Sequence, residues 1–228
     1  MVKRIALLLP HTDSTLETDL QRGLPPDVVL HTARLWLDEV GEDAEKRMVD
    51  EALPAGIKTL QGIARFDAAV FGCTSASAVY GASGLQKINR LMCDAFDCPA
   101  ITAFEAVLQA LQALEGPVAL LTPYAEEVNR FMVESLAAFN IKVAFAAGMG
   151  IRADPKIAQV TPQRIEAFVQ SHKNAILSTS KTLLVSCTNL RALEAIDSVT
   201  QNLGMNVVTS NQSIINWIST QIRGGCLW

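Results

Sequence analysis

Short apolar runs alternate with amphipathic segments along the chain. The amphipathic segments at 124–140 and 161–178 start on polar residues and carry apolar residues at helical spacing, and 41–66 is mostly helical in pattern, with Pro54 as a break. The apolar runs resemble buried strands and lie at 3–10, 28–35, 68–73, 99–102, 116–123, 141–147, 182–187 and 206–209. This alternation predicts an α/β fold in which helices cover parallel sheets.

The second half of the chain resembles the first. One apolar run in each half ends at a proline, Pro10 or Pro123, and a later run ends at a Cys-Thr pair that begins at Cys73 or Cys187. The spacing from proline to cysteine is 63 residues in the first half and 64 in the second. We therefore predict two lobes related by a pseudo-twofold axis, 1–115 and 116–228, each a parallel four-stranded sheet flanked by helices. We also expect part of the C-terminal segment to pack on the first lobe.

The two Cys-Thr pairs occupy equivalent strand ends. In open α/β sheets, ligands bind outside the carboxyl ends of the strands. A pseudo-twofold axis places the two sets of strand ends face to face, so Cys73 and Cys187 are expected to line one cleft between the lobes. A lone cysteine after a strand is usually a small apolar core residue. Two at matched positions of a repeat favour a functional role, with a duplicated structural thiol as the alternative.

Composition and charge point to a local pocket as the functional surface. The chain has 228 residues, 50% of them hydrophobic, and its 19 basic and 23 acidic residues form no block of one sign. Neither nucleic acid nor a membrane surface is expected as a partner. The first apolar run is too short for a signal peptide, and no run is long enough to span a membrane, so we expect a cytoplasmic protein. A homo-oligomer is compatible with an enzyme of this size.

The cysteines and histidines favour neither disulfides nor a metal site. The cysteine count is odd, without a Cys-x-x-Cys motif, and the three histidines are scattered. We predict that the protein uses no metal and no other cofactor. Cys93 and Cys98 are expected to be core residues, and Cys226 receives no role.

The residues around each cysteine suit carboxylate chemistry. Thr74 and Ser75 follow Cys73 at a predicted helix start, where hydroxyls and free backbone N–H groups can bind a carboxylate and favour a thiolate. The segment Ser186-Cys187-Thr188-Asn189 repeats this design. Of two thiols on opposite faces of a substrate, one can remove a proton or attack carbon while the other delivers a proton. That arrangement suits racemisation, or addition, bond rotation and elimination at a double bond.

Four motifs resemble those of the aspartate/glutamate racemase superfamily, closest to its branch of maleate cis-trans isomerases and arylmalonate decarboxylases. These motifs are Gly72-Cys73-Thr74-Ser75, Ser186-Cys187-Thr188-Asn189, Leu121-Thr-Pro-Tyr124 and Thr209-Ser-Asn-Gln212. The resemblance spans nearly the whole chain. It implies that Cys73 is the nucleophile or base on the first face and Cys187 the proton donor on the other. It also implies that Thr74, Ser75 and Tyr124 hold a substrate carboxylate, with Thr188 and Asn189 in the equivalent motif.

Two positions depart from the isomerase pattern. Asp13 stands where isomerases of this branch carry Asn, and the loop Ala153-Asp154-Pro155 likewise lacks an expected Asn. An ionised Asp13 would repel a second substrate carboxylate but could pair with an ammonium group. The alternative for Asp13 is a helix N-cap, a common structural use of Asp.

The resemblance implies a cofactor-independent isomerase of a small carboxylate or dicarboxylate, with maleate-type cis-trans isomerisation first. The alternative is an amino-acid or hydroxy-acid racemase. A decarboxylase is less favoured, because the decarboxylases of this branch have Gly at the position of Cys73, whereas this chain has a cysteine at both positions. A carboxylate-binding module with idle thiols is the non-enzymatic alternative.

Overall fold

The computed structural model describes residues 2–223 and confirms the predicted α/β architecture of two parallel four-stranded sheets flanked by helices. The strands are β1 (Lys3–Pro10), β2 (Val28–Leu35), β3 (Ala68–Phe71), β4 (Ala100–Thr102), β5 (Val118–Thr122), β6 (Val143–Gly148), β7 (Thr182–Val185) and β8 (Asn206–Thr209). The helices are α1 (Leu16–Gly23), α2 (Glu42–Arg47), α3 (Leu53–Leu60), α4 (Thr74–Phe96), α5 (Ala103–Gln112), α6 (Glu126–Ala138), α7 (Asp154–Ala158), α8 (Pro162–Ser171), α9 (Lys173–Thr179), α10 (Ile196–Leu203) and α11 (Ser210–Arg223).

The internal repeat extends to the order and register of the strands. The first sheet has the order β2-β1-β3-β4 and the second β6-β5-β7-β8. Leu8, two residues before Pro10, pairs with Phe71, two residues before Cys73. Leu121 and Val185 hold the corresponding positions and pair in the same way. Cys73 and Cys187 therefore follow equivalent central strands at equivalent heights.

The central strands are apolar because helices cover both of their faces. Residues 5–9 of β1 have no exposed surface, and β3, β5 and β7 are buried along their whole length. The outer strands β2 and β6 contain exposed positions. Parallel sheets covered on both faces read as continuous apolar runs, which is the pattern seen in the sequence.

The last helix of each half packs into the other half's core. Phe104 and Val107 of α5 belong to the apolar cluster around β5 and β7. Ile214 and Ile218 of α11 belong to the cluster that contains Leu7 of β1. All four of these helix side chains have no exposed surface. The division of the chain into two lobes between residues 115 and 116 stays a prediction. Each of the two cores contains side chains from both halves.

Two helical predictions differ from the structure in detail. The segment 41–66 forms α2 and α3 joined by a π-helical turn, Met48–Ala52. Pro54 lies in the first turn of α3, and because it has no N–H to donate, the widened turn before it accommodates the missing bond. The segment 161–178 is two helices, broken at His172. The ring Nδ1 of His172 bonds the carbonyl of Phe168, the acceptor that a continuing helix would offer to the amide of residue 172.

The four cysteines in the part of the chain that the structure describes are free thiols. Cys93 and Cys98 are half-buried, and Cys226 lies outside the described residues. Within residues 2–223, no helix combines the length and apolarity needed to cross a membrane.

Candidate active site

Hydrogen bonds join the two Cys-Thr strand ends directly. The Thr188 hydroxyl donates to the carbonyl oxygen of Gly72 over 3.2 Å. The Ser210 hydroxyl accepts from the Thr74 hydroxyl and from the backbone N–H of Cys187, each over 3.2 Å. Because these bonds cross from the end of β3 to the end of β7, the two thiols share one buried site. Each cysteine is only 4% exposed.

Cys73 stands at the start of α4 but is not held as a thiolate. The Ser75 hydroxyl lies 3.7 Å from its sulfur, and this hydroxyl and the Ala76 N–H favour the ionised form. Burial is the larger effect and raises the pKa of the Cys73 thiol well above its usual range, and the Glu45 carboxyl raises it further. The helix start therefore favours the thiolate as expected, but burial outweighs this effect.

Cys187 has a similar balance. Burial raises the pKa of its thiol well above the usual range, and the negative charges of Asp154 and Asp13 add to that rise. The Tyr124 hydroxyl and the Asn189 N–H act in the opposite direction, because both can donate to a thiolate. Burial therefore favours the neutral thiol at both cysteines.

Tyr124 lies within electrostatic reach of both thiols. Burial raises the pKa of its hydroxyl well above the usual range, followed by the charges of Cys187 and Cys73. Its backbone N–H donates to the Thr122 hydroxyl over 3.1 Å, which holds the turn after β5 in place. A neutral tyrosine between two thiols is a hydrogen-bond donor for a ligand held there.

Asp13 serves both as a structural group and as part of the site. Its Oδ1 accepts from the backbone N–H groups of Thr15 and Leu16, each over 2.9 Å, at the start of α1. Its Oδ2 is buried and has no hydrogen-bond partner. Burial is the main cause that raises the pKa of Asp13 to about 7. The carboxyl therefore caps the helix with one oxygen and leaves the other free.

Asn189 connects three loops of the site. Its Oδ1 accepts from the backbone N–H of Ser14 over 3.0 Å. Its Nδ2 donates to Asp154 Oδ2 over 2.9 Å, and the Thr12 hydroxyl donates to the same oxygen over 2.6 Å. The amide of Asn189 is thus used within the protein, and its role is to position Asp154. Burial is also the main cause that raises the pKa of Asp154.

Glu45 is a buried site residue that the sequence did not reveal. Its side chain has no exposed surface, and neither carboxyl oxygen has a hydrogen-bond partner. Burial raises the pKa of Glu45 to about 8, Asp154 raises it further, and the nearby Ser75 hydroxyl lowers it. The short helix α2 is rich in charge and reads as exposed. The available signal was that Met48 and Val49, three and four residues further on, are apolar and share its face.

Ser210 also has a larger part than the sequence indicated. It directly follows Thr209, which caps the last helix by accepting the N–H of Gln212 over 3.1 Å. Ser210 instead lies between the two motifs, where its hydroxyl also bonds that of Ser186 at 3.2 Å. The sequence could not show this because the contact joins separate strand ends.

The buried charged groups of the site are all acidic. Among residues 2–223, the charged side chains that are buried are Asp13, Asp19, Glu45 and Asp154. Arg191 pairs with Glu194 over 2.7 Å and is directed to solvent, so it does not reach the thiols. No cluster of three or more metal-binding side chains is present within the described range.

The family model of arylmalonate decarboxylases matches residues 5–222. The chain belongs to the arylmalonate decarboxylase family. This confirms the resemblance to the branch of maleate isomerases and arylmalonate decarboxylases.

Individual members of that branch are similar over almost the full length. The maleate isomerase of Geobacillus stearothermophilus is 22% identical over 227 residues, covering 93% of this chain and 88% of that one. The arylmalonate decarboxylase of Bordetella bronchiseptica is 27% identical over 223 residues, covering 97% and 90%. Among solved structures, a Nocardia farcinica maleate cis-trans isomerase mutant with a covalently bound succinylcysteine intermediate has a TM-score of 0.88 at 17% identity, covering 98% and 94%. At 17% identity, this structural similarity shows that the two proteins share a fold.

Proposed function

We propose that this protein is a cofactor-independent isomerase that acts on a small carboxylic acid through Cys73 and Cys187. The observation that carries this proposal is the placement of two buried thiols at equivalent strand ends. Hydrogen bonds from Thr188 to Gly72 and from Thr74 to Ser210 link those ends. The named relatives are enzymes that act on small carboxylic acids. A structural role would not require two buried thiols whose neighbours include Tyr124, a donor within reach of both.

In the proposed reaction, the substrate carboxylate binds backbone N–H groups at the start of α4 and the hydroxyls of Thr74, Ser75 and Tyr124. Because burial favours the neutral thiol at both cysteines, one thiol first loses its proton to solvent. For a proton transfer, that thiolate takes the proton on the carbon next to the carboxylate, and the electron pair of the broken C–H bond moves into an enediolate. The other thiol then protonates the same carbon from the opposite face. Hydrogen bonds to the enediolate oxygens lower the barrier.

Cis-trans isomerisation of a maleate-type diacid is the first candidate reaction. It is supported by the similarity to the maleate isomerase of Geobacillus stearothermophilus. Here one sulfur of this chain would add to a double-bond carbon, while a proton joins the other carbon. Rotation about the resulting single bond and loss of the same sulfur and a proton would give the trans acid.

Racemisation of an amino acid is the second candidate, and a specific observation favours it. Asp13 and Glu45 present buried carboxyl oxygens without partners, and the buried charges near the thiols are acidic. A dianionic diacid would meet repulsion from these groups if they were ionised, whereas an amino acid brings a positive charge. Decarboxylation has less support, because Cys73 occupies the position at which decarboxylases of this branch carry Gly.

The test is proton NMR in D₂O with maleate, citraconate, aspartate, glutamate and a malonate as separate substrates. Growth of fumarate at the expense of maleate would identify the isomerase, and deuterium entering an α-position would identify the racemase. Cys73→Ala and Cys187→Ala should each lower the observed rate at least about 100-fold, because each removes one of the two proton-carrying groups.

Cys93→Ala is the matched control, since Cys93 is a half-buried thiol on α4 with no part in the proposed reaction. Its rate should equal that of the unchanged protein. Conversion that survives loss of either Cys73 or Cys187 would refute the two-thiol reaction. Binding of these acids without any conversion would favour the carboxylate-binding module.

A further inference from the structure

One acidic residue near the two thiols is fully buried, and neither of its oxygens is in hydrogen-bond contact with the protein. Glu45 has no exposed surface, and both of its carboxyl oxygens lack a hydrogen bond. It nevertheless lies in the reaction centre, because its charge acts on the Cys73 thiol and on the Tyr124 hydroxyl, and the Ser75 hydroxyl acts on it. Burial of a carboxyl without a hydrogen-bond donor is unfavourable.

Another buried acid in the same protein shows what a structural carboxyl looks like here. Asp19 on α1 is also buried, but its Oδ2 accepts from the Asn211 amide over 2.7 Å. Asp13 likewise uses Oδ1 to cap α1 and leaves only Oδ2 unpartnered. Glu45 differs from both because neither of its oxygens has a donor at hydrogen-bond distance; the Ser75 hydroxyl is near enough to lower its pKa but lies 3.7 Å from the sulfur of Cys73. Its unpartnered oxygens therefore point to a ligand that supplies the missing donors.

We propose that the second candidate reaction is the relevant one: the substrate carries a protonated amine, and Glu45 is the residue that binds it. This rests on the proposed function in taking the two-thiol cleft as the substrate site. An ammonium group has three donors and a positive charge, and a buried carboxylate forms with it a charge-assisted hydrogen bond. Asp13 Oδ2 and the carboxyl of Asp154 add negative potential to the same site, and no buried basic side chain within residues 2–223 competes for them.

The charge state of Glu45 determines whether ligand binding releases protons or takes them up. The titratable groups that face Glu45 are Cys73, Tyr124 and Asp154, and none of them is cationic. Burial raises the pKa of Glu45 to about 8, so the carboxyl is mostly protonated at pH 7 unless a cation lies beside it. An ammonium group would convert it to the carboxylate, and the displaced proton would leave to the buffer. A ligand carboxylate in the same place would instead keep Glu45 protonated.

The experiment is isothermal titration calorimetry at pH 7 with pairs of acids that differ only in an amine: aspartate with succinate, glutamate with glutarate, and 2-aminobutyrate with butyrate. Each titration is repeated in two buffers of different ionisation enthalpy, which counts the protons released. We expect at least one amine-bearing acid to bind tenfold or more tightly than its amine-free twin, with release of up to one proton per site. In Glu45→Gln the preference should fall to twofold or less and the release should disappear.

Glu42→Gln is the matched control, because Glu42 lies on the same helix but is exposed and paired with Lys46. It should retain the full preference. Glu45→Asp keeps the charge on a shorter side chain and should retain a preference for the amine-bearing acid. If Glu45→Gln does not fold, the test rests on Glu45→Asp and on the number of protons that the wild type releases. The proposal is overturned if no amine-bearing acid binds better than its twin, if binding takes up protons, or if Glu45→Gln leaves the preference intact.

The failure of this proposal is distinguishable from failure of the proposed function. Conversion of maleate to fumarate without any preference for amines would remove the role of Glu45 and leave the two-thiol reaction standing. A strong, Glu45-dependent preference for amines with no deuterium entering any α-position would leave the amine site standing and remove the reaction.

Discussion

The carboxyl of Asp13 combines two tasks whose requirements differ. As a helix cap it needs only an oxygen that accepts the N–H groups of Thr15 and Leu16. As a carboxylic acid it also carries a proton, and burial moves the pKa of that proton to about 7. Asparagine would satisfy the first task and not the second, so substitution of this one side chain separates helix capping from titration.

Asp13→Asn should therefore flatten the dependence of stability on pH. Between pH 4 and 7 the unfolded chain has lost the Asp13 proton while the folded protein retains it, so the free energy of unfolding falls as pH rises. The slope from one such group is at most about 1.4 kcal/mol per pH unit. Relative to the wild type, Asp13→Asn should gain about 2 to 3 kcal/mol between pH 5 and pH 8, measured by chemical denaturation at each pH.

Asp13→Ala is the comparison that isolates the cap. It also removes the titration but leaves the two N–H groups without an acceptor, at a cost of roughly 0.5–2 kcal/mol relative to Asp13→Asn. Equal stability of the two variants would show that Oδ1 contributes nothing, and a wild-type pH slope that persists in Asp13→Asn would assign the titration to another group.

At the scale of single elements, the end of β6 depends on a close backbone approach. A Cβ on Gly148 would lie 2.3 Å from the carbonyl oxygen of Tyr124 and 2.6 Å from the Asn129 amide nitrogen. The backbone at Tyr124 cannot move aside without shifting a residue of the site. The absence of a side chain at Gly148 therefore lets the loop after β5 and the end of β6 lie together.

Gly148→Ala should destabilise the protein by about 1–3 kcal/mol, the usual cost of overpacking. For a chain of this length that corresponds to a fall in the melting temperature of about 2–4 °C for each kcal/mol, measurable by calorimetry. Ala146→Val is the control, because Ala146 lies on the same strand and is exposed, so its change should stay within about 0.5 kcal/mol. An unchanged melting temperature for Gly148→Ala would contradict the close approach.

Helices and strands were predictable where their position depends only on their own residues. The apolar runs placed all eight described strands, because a strand covered on both faces has an uninterrupted apolar sequence. The break at His172 was not predictable, since it depends on a ring that bonds the carbonyl of Phe168 rather than on Pro or Gly. Likewise, nothing in the local sequence shows that Glu45 lies near enough to Cys73 to raise its pKa, because that placement depends on how α2 packs against α4.

At the scale of the whole molecule, the repeat carried most of the prediction of the site. Equivalent spacing located Cys73 and Cys187 at matching strand ends, and the structure brings those ends together through Thr188 and Ser210. The spacing of motifs along the chain could not predict which groups surround each thiol. The pKa of a thiol depends on burial and neighbouring charge, and both arise only when the two lobes assemble.

The exchange of α5 and α11 between the cores predicts that the halves fold together. Fragments 1–115 and 116–228 produced separately should lack a cooperative thermal transition, because each core then misses buried side chains such as Phe104 or Ile214. Each such residue contributes about 1.5–3 kcal/mol by burial. Mixing the two fragments should restore the transition, followed by circular dichroism.

The full chain cut by a protease site inserted between 115 and 116 is the control for that experiment. It should remain associated and melt close to the uncut protein, because the cut removes no core contact. A separate fragment that melts cooperatively alone would show that its sheet is complete without the other half's helix.

The same helix exchange has a consequence for how such a molecule can originate. A half-length ancestor with this design would be complete only as a symmetric dimer whose subunits swap their last helices, with two identical thiols facing each other across the axis. Once the two copies are joined in one chain, a substitution can occur in one half without occurring in the other. Glu45, which raises the pKa of Cys73, is a difference that an exact twofold could not hold, and it gives the two duplicated sulfurs unequal electrostatic surroundings.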